Sequence, residues 1–443
     1  MFNYNELIKQ ASPLMVDAYN FLHSNPELGY HEWKGHGYMK NAFLSLGYKV
    51  DEFGDIPGFT ATFDTGRVGK TIGLFAELDG MINHSHPDCD KVTGAVHACG
   101  HDFQCANVLG VAYILKNACT TDMSGRVKFV IVPAEEGVEI LERYELVKQG
   151  LIKYTSGKPE IIYRGILDDV DIGYQNHIGV NTKGIAVYRP GENGLIRKSI
   201  VIQGKSAHAG ANPYDGINAL YVANVIMTAI NALRETFKES DYVRVHPIIT
   251  KGGDAVNTIP GEVTMESYVR GATVDVIKQV NEKVNRAIVG GALSMGANVR
   301  ILDLPGSMPV TNSIPLAEVA REASYLAYDD VRFESSWVTS STDMGDVSCI
   351  MPTIMAKVEG ARGSLHGADY VVDDIKSTCE KSCIQQAELI RRLLIDDCKE
   401  AKRVIKDTPV PFKSKEEYLE FIDGFNIDKQ MIDYTDGIKI NLK

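Results

Sequence analysis

Apolar residues recur at roughly helical spacing through residues 4–23, where Leu7, Ile8, Met15, Ala18, Tyr19 and Leu22 predict a first helix. A second helix is predicted over 35–46, ended by Gly47. The pattern then shortens. TIGLFAEL (71–78) and RVKFVIVP (126–133, closed by Pro133) read as apolar strands, with a helix over 104–118 between them. Short apolar strands separated by helices predict an α/β fold, a mixed, largely parallel sheet flanked by helices. Functional groups in such sheets gather beyond the carboxyl ends of the strands. Glu77, Asp79, Glu135 and Glu136 all stand at or just past such ends.

The character changes near residue 188, at RPGENG. KSIVIQG reads as a strand, 216–235 as a long helix, 243–250 as a strand, VTMESYVRG as another strand, and 273–294 as a helix. That order predicts an α+β, ferredoxin-like layer of antiparallel strands with helices on one face. After LPGSMPVTN the α/β pattern returns. The expected organisation is a discontinuous domain over 1–187 and 308–398, an inserted domain over 188–307, and a charged C-terminal extension over 399–443 with no assigned role.

A length of 443 residues is consistent with two or three domains, and 44% hydrophobic with 23% charged residues is enough to bury large cores. The formal net charge of -12 argues against nucleic acid or an anionic membrane as the main partner. An anionic small molecule stays admissible, because a local site can oppose the global field. No stretch approaches 18 consecutive apolar residues, so no transmembrane helix is expected. MFNYNELIKQASPLM lacks the pattern of a signal peptide. The eight cysteines are scattered, and reduced thiols in a cytoplasmic protein are expected.

The strongest local signal is His97-Ala98-Cys99-Gly100-His101-Asp102. Thiolate and imidazole are ligands for zinc and its neighbours, and two of them one residue apart on a turn can face one metal. A buried structural cysteine beside surface histidines is the plainer alternative. Next comes Pro133-Ala134-Glu135-Glu136-Gly137, directly after a strand. Adjacent carboxylates are costly there unless a cation is near, although acidic residues also favour helix N-termini. His177 in GYQNHIG and His366 in GSLHGAD are isolated histidines, each weak without the others. In the inserted segment, His208 lies in GKSAHAGANPYDG, Asn257 in NTIPGE, and Arg270 ends VTMESYVRG. Arginine suits a bidentate grip on a carboxylate. A loop histidine, a turn asparagine and a surface ion pair are the corresponding plain alternatives.

HSNPELGYHE, AELDGM, HACGHD, PAEEG, GKSAHAG and NTIPGE occur in that order between about residues 20 and 370. In this the chain resembles the co-catalytic metallopeptidase family of aminoacylases, hippurate hydrolase and glutamate carboxypeptidases. It is most similar to the branch of aminobenzoyl-glutamate hydrolases and auxin-conjugate amidohydrolases, which STDMGDVS, with Asp343 and Asp346, and the Glu77-Leu78-Asp79 spacing also resemble. The resemblance implies a catalytic domain interrupted by a lid domain that forms a homodimer. It implies two divalent metal ions (Zn, Mn, Ni or Co), bridged by Cys99 and completed by His101, Glu136, His177 and His366. Glu135 would be the general base, His208 would reach the substrate, possibly across a dimer, and Asn257 and Arg270 would recognise its carboxylate. Glu77 and Asp79 would stand behind the ligands. The chain departs from many relatives at Phe103-Gln104-Cys105, where a second histidine is usual, at Glu77 in place of aspartate, and in a longer interval from Glu136 to His177.

The implied activity is hydrolysis of the amide bond of a small N-acyl amino acid or aminobenzoyl-glutamate-like compound. A dipeptidase or carboxypeptidase on the same scaffold is the close alternative. A non-catalytic metal- or ligand-binding protein is a further one, opposed by the intact Glu135-Glu136 pair. A closed structural zinc site is opposed by the absence of paired ligand spacing.

Overall fold

A computed structural model describes residues 3–434 and 439–441. The first helix, Tyr4–Ser24, buries Leu7, Ile8, Ala11, Met15, Ala18 and Leu22 against the helices His101–Asn117 and Ile375–Leu394. These helices cover one face of a nine-stranded sheet. The centre of that sheet is parallel. Arg126–Val132, Thr71–Glu77, Ile172–Val180 and Thr353–Arg362 lie side by side in that order. Thr71–Glu77 is buried at every position, which explains why its sequence is a continuous apolar run rather than an alternating one. The parallel strands share one direction, so their carboxyl ends form one rim, and the Cys99 turn and the loop after Arg362 close over it.

A second, seven-stranded sheet is antiparallel, with Gly194–Gln203 between Glu262–Gly271 and Asn298–Ser307. The helices Ala219–Ala232 and Val274–Met295 pack on one of its faces, over Ile200, Ile202, Val263, Met265, Val269, Val299 and Ile301. Because side chains alternate along a strand, Leu195, Arg197, Tyr268 and Arg270 point to the opposite face.

Two expectations change. The strand expected over 243–250 is two short strands, Arg244–Val245 and Ile248–Lys251, both paired with Glu262–Gly271. Pro247 lies between them and has no N–H to give to a ladder. The described residues of 399–443, a segment expected as an extension of unknown role, pack beside the first sheet and pair with the second. The helix Lys415–Asp423 packs Tyr418 and Ile422 into a cluster with Tyr154, Met344 and Val347 beside the first sheet. The strand Ile427–Asp433 then pairs antiparallel with Asn298–Ser307, with Lys429 opposite Ile301, and so covers an edge of the second sheet.

Candidate metal centre and its pocket

Gly100 begins the chemistry by turning the chain. Its φ of 83° is left-handed, and a Cβ there would overlap the Ile178 side chain. The turn starts the helix His101–Asn117 with His101 inward and sets Cys99 over the rim of the first sheet. Cys99 Sγ lies 3.5 Å from His177 Nε2 and 3.3 Å from His366 Nε2. Glu136 Oε1 lies 3.3 Å from His366 Nε2. Three groups of ligand atoms result, each mutually within 4.8 Å: Cys99–His101–His177 and Cys99–Glu136–His366, which share Cys99, and Glu77–His101–Glu135. His177 joins them although its interval from Glu136 is long. The intervening residues 140–171 form two helices on the rim before the chain re-enters the sheet at Ile172.

Neighbouring groups orient the ligands. His101 Nδ1 donates to the Asp79 carbonyl at 2.8 Å, with Asp79 Oδ1 at 3.2 Å, so Nε2 faces the cluster. Asp79 Oδ2 accepts the Glu136 N–H at 2.8 Å. One carboxylate thus sets both a histidine and a glutamate. Burial and Glu136 push the Cys99 thiol up, but the imidazoles of His366 and His177 and a hydrogen bond from His101 hold it down at about 5. Burial raises Glu136 too, yet His366 and His101 hold it below the usual carboxylate range. Glu135 goes the opposite way. Burial first, then the charges of Glu77, Asp343 and Glu136, raise it well above the ordinary value. Its Oε2 is 4.0 Å from His101 Nε2.

The backbone is strained at both sides of this cluster. Ala134 and His366 have φ of 55° and 61°, left-handed values that L-residues rarely adopt. The Ala134 N–H donates to the fully buried Glu32 at 2.7 Å, which fixes the turn that presents Glu135 and Glu136.

The donor set fits a pair of dications. One thiolate, three imidazoles and one carboxylate suit zinc and its neighbours. His101 Nε2 and Glu136 Oε1 are buried in the cluster and make no well-directed hydrogen bond, although Glu77 Oε2 lies 3.1 Å from the first and His366 Nε2 3.3 Å from the second, as ligand atoms gathered around a metal would. The cluster opens into a cavity of about 260 Å³ between the two sheets.

Arg270 lines this cavity, with Tyr268 beside it. His208 and Asn257 do not line it. Both are exposed on adjoining loops of the second-sheet layer, where Asn257 O accepts the Ala209 N–H. His208 Nδ1 accepts the N–H groups of Gly210 and Ala211, so its ring proton is on Nε2 and faces outward.

Several residues of the site lie outside the sequence motifs. Lys158, fully buried, pairs with both Glu77 and Asp343 beneath the cluster. Gln104, which stands where many relatives carry histidine, donates to Glu77 Oε2 at 2.8 Å and accepts from Gln175. Arg189, Arg197 and Lys357 line the cavity. Only Gln104 carried a signal, its position two residues past HACGHD.

Comparison with known proteins agrees with this architecture. Residues 191–292 match the peptidase dimerisation domain of M20 proteins. A dinuclear metal-binding M20 peptidase from Bacillus subtilis superposes with a TM-score of 0.63 at 21% identity, covering 87% of this chain and 99% of that one. Residues 191–292 thus carry the family's dimerisation domain, and the chain as a whole shares its fold with an M20 peptidase. The aminobenzoyl-glutamate utilization protein of Klebsiella pneumoniae superposes with a TM-score of 0.70 at 18% identity, covering 89% of this chain and 99% of that one. The indole-3-acetyl-aspartic acid hydrolase of Enterobacter agglomerans is 30% identical over 262 residues, 56% of this chain and 55% of that protein. One of the polypeptides of the p-aminobenzoyl-glutamate hydrolase of Escherichia coli K12 is 30% identical over 261 residues, with the same two shares of 56% and 55%. The chain thus spans little more than half the length of these two curated relatives. Among the described residues, no helix is long and apolar enough to cross a membrane.

Proposed function

We propose that this protein is an M20-type, metal-dependent amidohydrolase that cleaves the amide bond of an N-acyl amino acid or an aminobenzoyl-glutamate-like compound. One observation carries the proposal. Cys99 is common to two sets of ligands, and a buried carboxylate with raised proton affinity, Glu135, stands beside them. Cys99, His101, Glu136, His177 and His366 would hold two dications, Zn, Mn, Ni or Co. When bound, such a pair acidifies water and polarises a scissile carbonyl.

The side chains supply the rest. Glu135 accepts a proton from the attacking water and returns it to the leaving nitrogen, a transfer that suits a carboxyl group whose proton affinity burial and neighbouring carboxylates raise. Asp79 keeps His101 and Glu136 in register. Arg270, on the second sheet, grips the carboxylate of the amino acid. In this proposal residues 1–187 and 308–398 form the catalytic unit, and 188–307 a lid through which a cytoplasmic homodimer forms. His208 and Asn257 then serve the partner's site, His208 donating its Nε2 proton to the developing oxyanion. Glu77 stabilises the cluster from behind, paired with Lys158.

The test is hydrolysis of aminobenzoyl-glutamate, hippurate, acetylated amino acids and free-amine dipeptides by chelated protein, then after adding Mn, Zn, Co or Ni. Metal-restored cleavage of acylated members over dipeptides is expected. Preference for dipeptides would instead make the protein a peptidase. In parallel, Glu135→Gln is expected to keep its metal and lose about a hundredfold or more in turnover. A metal-replete Glu135→Gln enzyme with wild-type turnover would remove Glu135 from the mechanism.

A further inference from the structure

We infer that the pocket takes a substrate with a second carboxylate, held by Arg189, Ser341 and Lys357. This rests on the amidohydrolase reading and narrows its substrate to a dianion.

The charges lining the cavity do not balance by themselves. The acidic side chains are Glu135, Glu136, Glu192 and Asp343, and the basic ones are Arg189, Arg197, Arg270 and Lys357. Each of three acids already has a cation or a ligand cluster. Glu136 faces His366, Asp343 pairs with Lys158, and Glu192 pairs with Arg189 at 3.0 Å. No carboxylate of the described residues lies within ion-pair distance of Arg197, Arg270 or Lys357. Cations withdrawn from water without a counter-ion are costly to keep. A single carboxylate on Arg270 would leave the buried Arg197 and the half-buried Lys357 without a counter-ion.

The hydrogen bonds point the same way. Arg189 and Arg197 are only 4% and 3% exposed, yet the Nε–H of each has no acceptor. The hydroxyl of Ser341 on the same cavity wall is also buried and unpartnered. Unsatisfied buried donors are rare unless a ligand completes them.

The donors divide between the two sheets. Arg197 and Arg270 are two rungs apart on the second sheet, where Leu195 is opposite Arg270 and Arg197 opposite Tyr268. Lys357 is on the first sheet, level with His177 on one side and with Ala186 on the other. Arg189 follows directly after the strand Ile185–Tyr188, and Ser340 donates to Glu192 Oε2 at 3.1 Å, which holds the Arg189–Glu192 pair against the Ser341 loop. Arg189, Ser341 and Lys357 therefore form an anion subsite on the metal-bearing side of the cavity, apart from the lid arginines. A carboxylate with two oxygens can accept from all three.

The second carboxylate can belong to the amino-acid side chain or to the acyl group, and the two are told apart by paired substrates. The rate constant kcat/KM is compared for N-benzoyl-glutamate against N-benzoyl-glutamine, and for N-succinyl-leucine against N-butyryl-leucine. The wild-type metal-loaded enzyme is expected to favour the dianion about tenfold or more in one pair, and that pair identifies the source. The ratio is expected to fall toward one in Lys357→Met and to shrink in Ser341→Ala. Calorimetric titration of chelated protein with N-acetylglutamate, N-acetylglutamine and N-succinyl-leucine supplies a readout free of turnover, with the dianion preference again lost in Lys357→Met. Equal rates within both pairs, or an undiminished preference in folded Lys357→Met, would overturn the subsite while leaving the amidohydrolase standing. Absence of any cleavage by metal-loaded protein would instead defeat the amidohydrolase reading, and the titration alone would then decide the subsite.

Discussion

Asp346 illustrates how single residues divide between what a sequence announces and what only packing reveals. It was visible as part of STDMGDVS, but its environment was not. Its carboxylate is 2% exposed, accepts from Tyr418 Oη at 2.7 Å, and is reached by the Met308 N–H at 3.4 Å. Burial, offset by the Tyr418 hydrogen bond and reinforced by Asp343, raises it from 3.8 to about 7. The folded protein therefore holds a proton there that the unfolded chain releases. This favourable contribution is complete below about pH 4 and is lost as pH rises through about 7. Asp346→Asn stays neutral throughout. Its melting temperature relative to wild type should accordingly climb as pH goes from 5 to 8. A difference that is flat across that range would mean Asp346 does not titrate there. The residues of the Cys99 cluster were legible because Cys, His and paired Glu are unusual at strand ends. Lys357 and Arg197 were not, because a lone cation in an alternating strand reads as a solvent-facing position. Lys158 was hidden for a similar reason, since its partners Glu77 and Asp343 are 81 and 185 residues away in sequence.

At the scale of elements, the parallel strands were legible from their continuous apolar runs, and the antiparallel layer from its β-α-β-β-α order of elements. What the pattern concealed was how closely neighbouring elements approach. The helix Gly157–Tyr163 starts against the end of the strand Arg126–Val132, and a Cβ on Gly157 would overlap the Pro133 carbonyl oxygen. The same turn presents Glu135 and Glu136, and the Lys158 that follows Gly157 reaches beneath the cluster. Gly157→Ala has no flexible side chain to displace, so backbone must move. A loss of about 1–3 kcal/mol is expected in denaturant unfolding, together with a fall in turnover at temperatures where the variant is fully folded. A variant as stable and active as wild type would show that the approach has slack. The C-terminal helix escaped notice for another reason. KSKEEYLEF looks solvated, yet Tyr418 and Ile422 are among the few apolar positions of that helix and both are buried.

Across the whole molecule, His208 and Asn257 share a motif order with the candidate metal ligands but not a cavity. Within one chain they face outward, so in the proposed dimer they act only if a second copy brings them to the first copy's pocket. That arrangement has a consequence that separates it from any role within a single chain. Glu135→Gln removes the base of its own site, and His208→Ala removes a donor from its partner's. Each variant alone is expected to be nearly inactive. In a mixed dimer, the site on the His208→Ala chain keeps its own Glu135 and receives an intact His208 from the Glu135→Gln chain. Its other site lacks both. Mixing the two inactive proteins under conditions of protomer exchange should therefore restore activity, with one working site for each mixed dimer. If His208 served its own chain, every site in the mixture would lack one group or the other and no mixing ratio would recover turnover.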